Sequence, residues 1–276
     1  MYYISGMSNF YQKIFSRFGY AAAAVLLLTV FLFSGCANNF TITDERPSDI
    51  TVEELLQRRD MAVDPSGAYK NADTFFQRQI VSRDTGSFMD SLQKAVIETR
   101  FQKPGMFKIT TYRYNKPVLE VIFNGEEAVQ VDYRNMTSTP ITGDELDLLR
   151  TTFVFGNAGS DLRSVFNDIE ISIVTIDDTE YYKLKCTSKF SDRIPVFEIF
   201  VDAQDHLTRL FRTAGSSEMP EYIGVIEDYA NYDDVLIPAK YSMVMDRERA
   251  ISQIVVFSLG VKFDDNEFAF PQVADK

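Results

Sequence analysis

The pattern of apolar and polar positions divides the chain into an apolar N-terminal stretch, a helical segment and a long series of strands. From Thr74 onward apolar residues recur mainly at every second position, and turn residues interrupt them about every 8–12 residues. This alternation is typical of hairpins in an antiparallel meander, and it predicts about a dozen strands. The predicted strands are 76–81, 92–101, 106–114, 118–125, 128–135, 169–176, 181–188, 196–203, 207–214, 222–232, 240–246 and 251–263.

Two segments have the 3.6-residue period of amphipathic helices instead. Residues 51–54 (Thr-Val-Glu-Glu) have capping-box spacing, and the apolar stripe that follows predicts a helix over 51–63. Residues 142–145 (Thr-Gly-Asp-Glu) repeat that spacing and predict a second helix, and a short third segment could follow with Ser160 as its cap. The apolar positions of the second helix are Leu146, Leu149 and Phe153.

The first 36 residues have the pattern of an export signal. Lys13 and Arg17 precede an apolar run over 21–33, which at about 1.5 Å per residue is too short to cross a hydrocarbon core roughly 30 Å thick. The run ends in Leu-Phe-Ser-Gly-Cys, with small residues directly before Cys36. This resembles the lipobox of bacterial lipoproteins, which implies that residues 1–35 are removed as a signal peptide and that Cys36 is lipidated.

The resemblance also implies where the protein resides. A lipidated Cys36 would anchor the chain to a membrane, and the absence of Asp at position 37 is compatible with export to an outer membrane, facing the periplasm. An uncleaved signal anchor with an ordinary Cys36 is the alternative, and translation could begin at Met1 or at Met7. Residues 37–49 are polar and are predicted to be a spacer between the lipid and the fold.

Composition excludes several classes of function. The 276 residues contain 28 Lys and Arg against 40 Asp and Glu, a net charge of -12, which argues against a nucleic-acid partner. His206 is the single histidine, so motifs that need two histidines are excluded, and we expect no metal and no cofactor. Nucleophile-elbow, phosphate-loop and dinucleotide motifs are absent from the sequence, so we expect no catalytic residues and no enzyme. A hydrolase with two separated carboxylates stays open.

Three smaller features have simple structural interpretations. Cys186 lies in a predicted strand and is expected to be a buried apolar residue. His206 is expected in a turn between two strands. The pairs Asp177-Asp178, Asp233-Asp234 and Asp264-Asp265 are interpreted as acidic turns and not as calcium loops, because they lack EF-hand spacing.

The order of elements is a helix, five strands, an inserted helical segment and a second antiparallel run. Several short motifs occur along this order: Lys103-Pro104-Gly105-Met106-Phe107-Lys108, Phe123-Asn124-Gly125, Phe200-Val201-Asp202, Val235-Leu236-Ile237-Pro238 and 264–271. The combination resembles the LolA/LolB-like periplasmic lipoprotein carriers and outer-membrane lipoprotein receptors. The resemblance covers residues 51–271, after a lipidated N-terminus and linker over 36–50 and before a tail over 272–276.

The resemblance implies a mainly β fold with α insertions, in which a curved antiparallel sheet forms an incomplete barrel with a helical lid. It also implies an apolar groove for lipid or acyl chains, with Leu146, Leu149 and Phe153 on the lid. The carriers' lid-locking arginine has two candidate counterparts, Arg78 and Arg100, and no protruding apolar loop is evident at 115–117. The side chains predicted to line the groove are Ile109, Leu119, Val121, Phe123, Val129, Val131, Leu184 and Ile199.

The sequence therefore predicts a monomeric, membrane-anchored envelope lipoprotein that binds lipid or the acyl chain of a lipoprotein. Two alternatives stay open. The chain could be a regulatory envelope sensor that binds a membrane protein partner from the periplasmic side. It could also be a structural lipoprotein whose strand faces form a filled core without a ligand.

Overall fold

The computed structural model describes residues 40–83, 94–156, 161–213, 221–245 and 248–271. The predicted signal peptide, Cys36, Ser160 and the tail over 272–276 lie outside the described residues. The α-helices are α1 (Val52–Val63), α2 (Ala68–Asn71) and α3 (Asp144–Phe155), and Leu162–Ser164 form a 3-10 turn. The strands are β1 (Ile42–Pro47), β2 (Thr74–Arg83), β3 (Ala95–Gln102), β4 (Met106–Arg113), β5 (Lys116–Phe123), β6 (Ala128–Asp132), β7 (Thr137–Ile141), β8 (Phe166–Ile176), β9 (Thr179–Ser188), β10 (Phe197–Asp202), β11 (Thr208–Thr213), β12 (Tyr222–Tyr232), β13 (Val235–Met245) and β14 (Glu248–Leu259).

All of these strands belong to one antiparallel sheet of 14 strands, in the order β1-β8-β9-β10-β11-β12-β13-β14-β2-β3-β4-β5-β6-β7. Successive strands are paired within β2–β7 and within β8–β14, and the pairing of β14 with β2 joins these two halves of the sheet. The sheet does not close on itself, since β1 and β7 remain at its two edges. The predicted fold class, mainly β with an incomplete barrel and a helical lid, is therefore confirmed.

The path of the chain explains why α3 covers the sheet. The chain leaves β7 at one edge and re-enters at β8, which is next to the other edge. The connection must therefore cross the sheet, and α3 lies within it. We call the face of the sheet that α3 covers the inner face, and the opposite one the outer face.

Helix α1 confirms its predicted cap and apolar stripe. The Thr51 Oγ1 accepts a hydrogen bond from the backbone N–H of Glu54 at 3.1 Å, as a capping residue should. The buried side chains are Val52, Leu55, Arg59 and Val63.

Helix α3 confirms the second predicted helix but not its cap. It begins at Asp144, and its N-cap is Gly143, whose φ of 59° places it in a backbone region that favours glycine. The predicted cap at Thr142 is therefore wrong. The acidic side chains of the first turn, Asp144, Glu145 and Asp147, stabilise the helix N-terminus through its dipole instead.

The sequence pattern does not predict two of the strands, β1 and β7, and both lie at sheet edges. β1 lies within the predicted spacer over 37–49 and pairs with β8, while β7 pairs with β6. All residues of β1 except Ile42 are exposed, and all residues of β7 except Ile141 are exposed. An edge strand can be held by backbone hydrogen bonds on one side, so neither strand needs the apolar alternation by which strands are recognised.

The acidic pairs at two hairpins are turns, as predicted. Asp177 and Asp178 have φ of 49° and 63°, and Asp233 and Asp234 have φ of 52° and 66°. Two successive residues with positive φ are typical of type I′ hairpin turns, which Asp tolerates better than most residues. His206, with φ of 59°, lies in the turn between β10 and β11 as expected.

Candidate functional site

The inner face of the sheet carries two apolar clusters beneath the helices. The first cluster lies mainly on the β14–β2–β3–β4–β5 part of the sheet, and the second lies on β8, β9 and β10. The buried members of the first cluster include Phe75, Ile97, Phe107, Ile109, Val121, Phe123, Ile254 and Phe257. Those of the second include Ile169, Ile173, Tyr182, Leu184, Cys186, Phe197, Ile199 and Val201.

Helix α3 belongs to both clusters because it crosses between them. Leu149 and Phe153 are buried in the first cluster, and Leu146 packs against it. Leu148 and Phe155, on the adjoining side of the helix, pack against the second. The three residues predicted for the lid thus do lie between helix and sheet, although their role in ligand binding stays a prediction.

Aromatic rings form most of the contact between α3 and the sheet. The ring of Phe153 stacks on that of Phe107 with their centroids 3.9 Å apart, and it lies 5.7 Å from the ring of Phe101. At the end of the helix, the Phe155 ring lies 4.7 Å from that of Phe197 and 5.5 Å from that of Phe211. These contacts are apolar, so no hydrogen bond has to break for them to separate.

Six of the eight predicted groove residues lie on the inner face. Ile109, Val121 and Phe123 are buried in the first cluster, and Leu119 packs against it. Leu184 and Ile199 are paired across β9 and β10 and are buried in the second cluster. The sequence pattern therefore selected inward positions in both halves of the sheet.

The prediction for Val129 and Val131 is wrong. In the register of β5 and β6, Val129 is opposite Ile122 and Val131 is opposite Glu120, whereas Val121 is opposite Gln130. Directly opposed residues share one face of a sheet, so both valines are on the outer face and cannot line the groove. The sequence shows which residues of β6 alternate, but only the register with β5 shows which set faces inward.

The same register brings polar side chains onto the inner face. Thr111 lies between Ile97 and Leu119, and Gln130 lies beside Val121. Gln79, on β2, faces inward too, and its Oε1 accepts hydrogen bonds from the side chains of Gln77 at 3.1 Å and Tyr241 at 3.0 Å. Sequence reasoning missed these residues because a buried Thr or Gln in a strand looks like an outward position.

The outer face of β2–β5 carries an ionic cluster, made up of Arg78, Glu98, Arg100, Lys108, Glu120 and Glu267. Glu98 is its buried centre, accepting from Arg78 Nη2 at 2.6 Å, from Arg100 Nη2 at 2.9 Å and from the Tyr112 hydroxyl at 3.2 Å. Burial opposes ionisation of Glu98, but the hydrogen bonds and charges of the two arginines outweigh it, so its pKa lies below the ordinary value.

The two candidate lid-locking arginines both belong to this ionic cluster. Glu98 alternates with Ile97, which faces α3, so Arg78 and Arg100 are on the face away from the lid. Arg100 instead reaches Glu267, with Nε 3.3 Å from Oε1, and Lys108 Nζ lies 3.2 Å from the same oxygen. Both cations hold the segment after β14 against the outer face.

Two hairpin tips at one end of the sheet expose apolar side chains. Tyr114, in the turn between β4 and β5, is 86% exposed, and Met136, before β7, is 64% exposed. Both turns join strands at the same end of this antiparallel run, so the two tips are neighbours. Tyr114 thus provides an apolar tip directly before the polar residues 115–117.

A metal centre and a membrane-spanning helix are both absent from the described residues. These residues contain no group of three or more His, Cys, Asp or Glu side chains placed to hold a metal ion. Within the same ranges no helix is long and apolar enough to cross a membrane.

Cys186 is buried in the second cluster, as predicted. Burial raises the pKa of its thiol to about 12, because the thiolate would lose its hydration beneath the helices. The thiol is therefore protonated and inaccessible in the closed protein.

We expect the Cys186 thiol of the Cys36→Ser protein to resist alkylation at pH 8 and to react rapidly after unfolding in guanidinium. The reaction requires a transient opening of the second cluster, so an added fatty acid that fills the groove should slow it further. Mass spectrometry after timed exposure to iodoacetamide measures both effects. Alkylation of the folded protein as fast as that of the unfolded one would contradict the burial.

Comparison with known proteins agrees with this architecture. A LolA superfamily protein from Nitrosomonas europaea superposes with a TM-score of 0.55 at 13% identity, over 80% of this chain and 98% of the other. The chain has the fold of the LolA superfamily. A DUF1329 family protein from Desulfovibrio piger also shares this LolA-like fold, with a TM-score of 0.55, 11% identity and coverage of 78% and 94%.

A third structure with the LolA-like fold is an outer membrane lipoprotein-sorting protein domain from Vibrio parahaemolyticus. It has a TM-score of 0.50 and 7% identity, and the match covers 78% of this chain and 95% of that domain. No protein-family model and no curated protein matches the sequence. The superpositions establish the LolA-like fold, but at identities this low they do not establish an activity. The activity therefore has to be argued from the site.

Proposed function

We propose that the chain is a membrane-anchored envelope lipoprotein that binds lipid, or the acyl chain of a lipoprotein, between the inner face of the sheet and α3. The observation that carries this proposal is the apolar seam between Phe153 on α3 and Phe107 on the sheet. A helix that rests on an open sheet through apolar contacts can exchange those contacts for contacts with a hydrocarbon chain. Binding of this kind needs no catalytic residue.

The magnitudes favour such an exchange. Each methylene withdrawn from water contributes about 0.8 kcal/mol, so the ten methylenes and one methyl of a dodecanoyl chain offer roughly 9 kcal/mol. Displacing α3 exposes apolar side chains and offsets part of this gain. A net affinity in the micromolar range requires about 8 kcal/mol, so almost none of the gain can be lost to exposed apolar side chains of α3. Binding of a chain of this length therefore requires that α3 stay packed against the bound chain.

The descriptions of two structures with the same fold support the proposal. One structure with this fold is described as a lipoprotein-sorting domain of the outer membrane and another as a LolA superfamily protein. The proposed role here is the handling of lipids or lipoproteins in the envelope, from the periplasmic side of the outer membrane.

A lipid on Cys36 would hold the groove close to the membrane. β1 begins at Ile42, so five residues separate Cys36 from the sheet. The six steps from Cys36 to Ile42 reach at most about 20 Å when fully extended. The lipidated chain would therefore keep the protein within about one molecular diameter of the bilayer from which a lipid could be drawn.

Two valines on neighbouring strands provide a matched test of the groove. Val121→Phe enlarges a fully buried inner-face side chain, and Val129→Phe makes the same change on the outer face. We expect Val121→Phe to weaken uptake of a fluorescent fatty acid at least tenfold, about 1.4 kcal/mol, and Val129→Phe to leave it unchanged.

Circular dichroism and thermal unfolding must show that both variants are folded. Equal loss of uptake in the two folded variants would contradict binding on the inner face. Failure of the unmodified protein to take up any fatty acid, together with the absence of lipid in native mass spectra of protein extracted from membranes, would contradict the proposed function itself.

A further inference from the structure

Two buried polar atoms beside β5 on the inner face lack a hydrogen-bond partner among the described residues, as does the Ser252 Oγ on β14 of the same face. The two beside β5 are the Thr111 Oγ1 and the Gln130 Oε1, and their residues are 7% and 5% exposed. A buried polar group without a partner destabilises a protein, so native structures supply a partner from the chain, from water or from a ligand.

Both atoms flank the wall of the proposed groove. Thr111 is opposite Leu119 and Gln130 is opposite Val121, so the two polar residues stand on either side of β5. They are two strands apart and offset by two residues along the strands, which places their Cα atoms about 12 Å apart. A bound molecule that covers Leu119 and Val121 lies between them.

The polarity of the inner face also changes along the direction of the strands. Phe101, Phe107 and Phe123 form a row across β3, β4 and β5, at the end where Phe153 rests. Gln130 lies one row from these phenylalanines, level with Val121, and Thr111 lies one row further, towards the hairpin tips that carry Tyr114 and Met136. The apolar end suits a hydrocarbon tail, and the end with unpaired polar atoms suits a head group.

The chemistry of the polar end indicates an uncharged head. Gln130 Oε1 needs a donor, and the Thr111 hydroxyl can donate or accept. The charged residue in the adjoining row is Asp132, opposite Leu119, and its carboxylate already accepts from Arg134 and Asn135. An ionised carboxylate or phosphate offers Gln130 Oε1 no donor and would have to give up its hydration there.

We propose that the groove selects a neutral, hydroxyl-bearing amphiphile, with its head bound by Thr111 and Gln130 and its tail directed towards the row of phenylalanines. This inference rests on the proposed function and adds the class of ligand. A buried water at each atom is the competing arrangement, and it predicts no preference for a hydroxylated lipid.

The test compares two lipids with one tail, 1-monolaurin and methyl laurate, as competitors of a fluorescent fatty acid. We expect the Cys36→Ser protein to bind monolaurin about tenfold more tightly than methyl laurate. The variant with both Thr111→Val and Gln130→Leu should lose this preference and bind the two lipids with similar affinity. Because both changes remove unpaired polar atoms, the variant should unfold at the same or a higher temperature than its parent.

Thr110→Val is the matched control. Thr110 is adjacent to Thr111 but faces outward, where its hydroxyl donates to Glu120 Oε2 at 2.9 Å, so this variant should keep the preference. Equal affinity of the parent protein for both lipids, or a preference that survives in the double variant, would overturn the selection of a neutral head and leave chain binding intact. Failure of both lipids to displace the bound probe would overturn this inference alone, whereas failure of the probe itself to bind would overturn the proposed function and this inference with it.

Discussion

Replacing Leu149 with alanine is expected to lower the free energy of unfolding by about 2–5 kcal/mol. Leu149 is fully buried at the contact between α3 and the first cluster, so the substitution removes apolar contacts and leaves a cavity. Chemical denaturation at pH 7 measures the loss. Met61→Ala, at an exposed position of α1, should change stability by less than about 0.5 kcal/mol.

The same variant links stability to ligand binding. The cavity would lie among the apolar side chains of the first cluster, so an alkyl chain can fill it. Lauric acid should therefore raise the unfolding temperature of Leu149→Ala by more than it raises that of the parent protein. A loss below about 1 kcal/mol would show that α3 does not pack on the sheet as described.

The second large effect is expected on the outer face. Glu98→Gln should lower the free energy of unfolding at pH 7 by about 1–3 kcal/mol, since it removes the charge that two arginines and Tyr112 bind. The control is Glu180→Gln, which affects the exposed ion pair with Arg46 and should cost less than about 1 kcal/mol.

The pH dependence separates this charge effect from a packing defect. The pKa of Glu98 is lower in the folded protein than in the unfolded chain, so its contribution is fully present above about pH 4.5 and is lost as the pH falls through the folded pKa. Stability of the unmodified protein should fall with acidification more steeply than that of Glu98→Gln. Parallel curves from pH 7 to pH 3 would show that Glu98 does not carry this stabilisation.

The sequence was sufficient for elements whose pattern depends on burial. Helix α1 has a side-chain cap and an apolar stripe, and the strands between β2 and β14 mostly alternate, so their positions could be predicted. The edge strands β1 and β7 could not, because backbone pairing on one side holds them and their side chains stay exposed.

The candidate site was less predictable, because it depends on the register between strands. Ile109, Val121 and Phe123 follow from alternation alone, whereas Val129 and Gln130 exchange faces if β6 shifts by one residue against β5. Arg78 and Arg100 show the same limit, since the partner that fixes their position, Glu98, is itself a buried polar residue of a neighbouring strand.

The most direct test of the account is photo-cross-linking with a fatty acid that carries a diazirine near the end of its chain, followed by mapping of the adducts by peptide mass spectrometry. If the ligand binds between the inner face and α3, adducts form on inner-face residues around Phe107, Val121 and Phe153, and excess unlabelled lauric acid removes them. Adducts confined to outer-face positions such as Val129 and Val131, or none that competition removes, would contradict the claim that the inner face and α3 enclose the ligand.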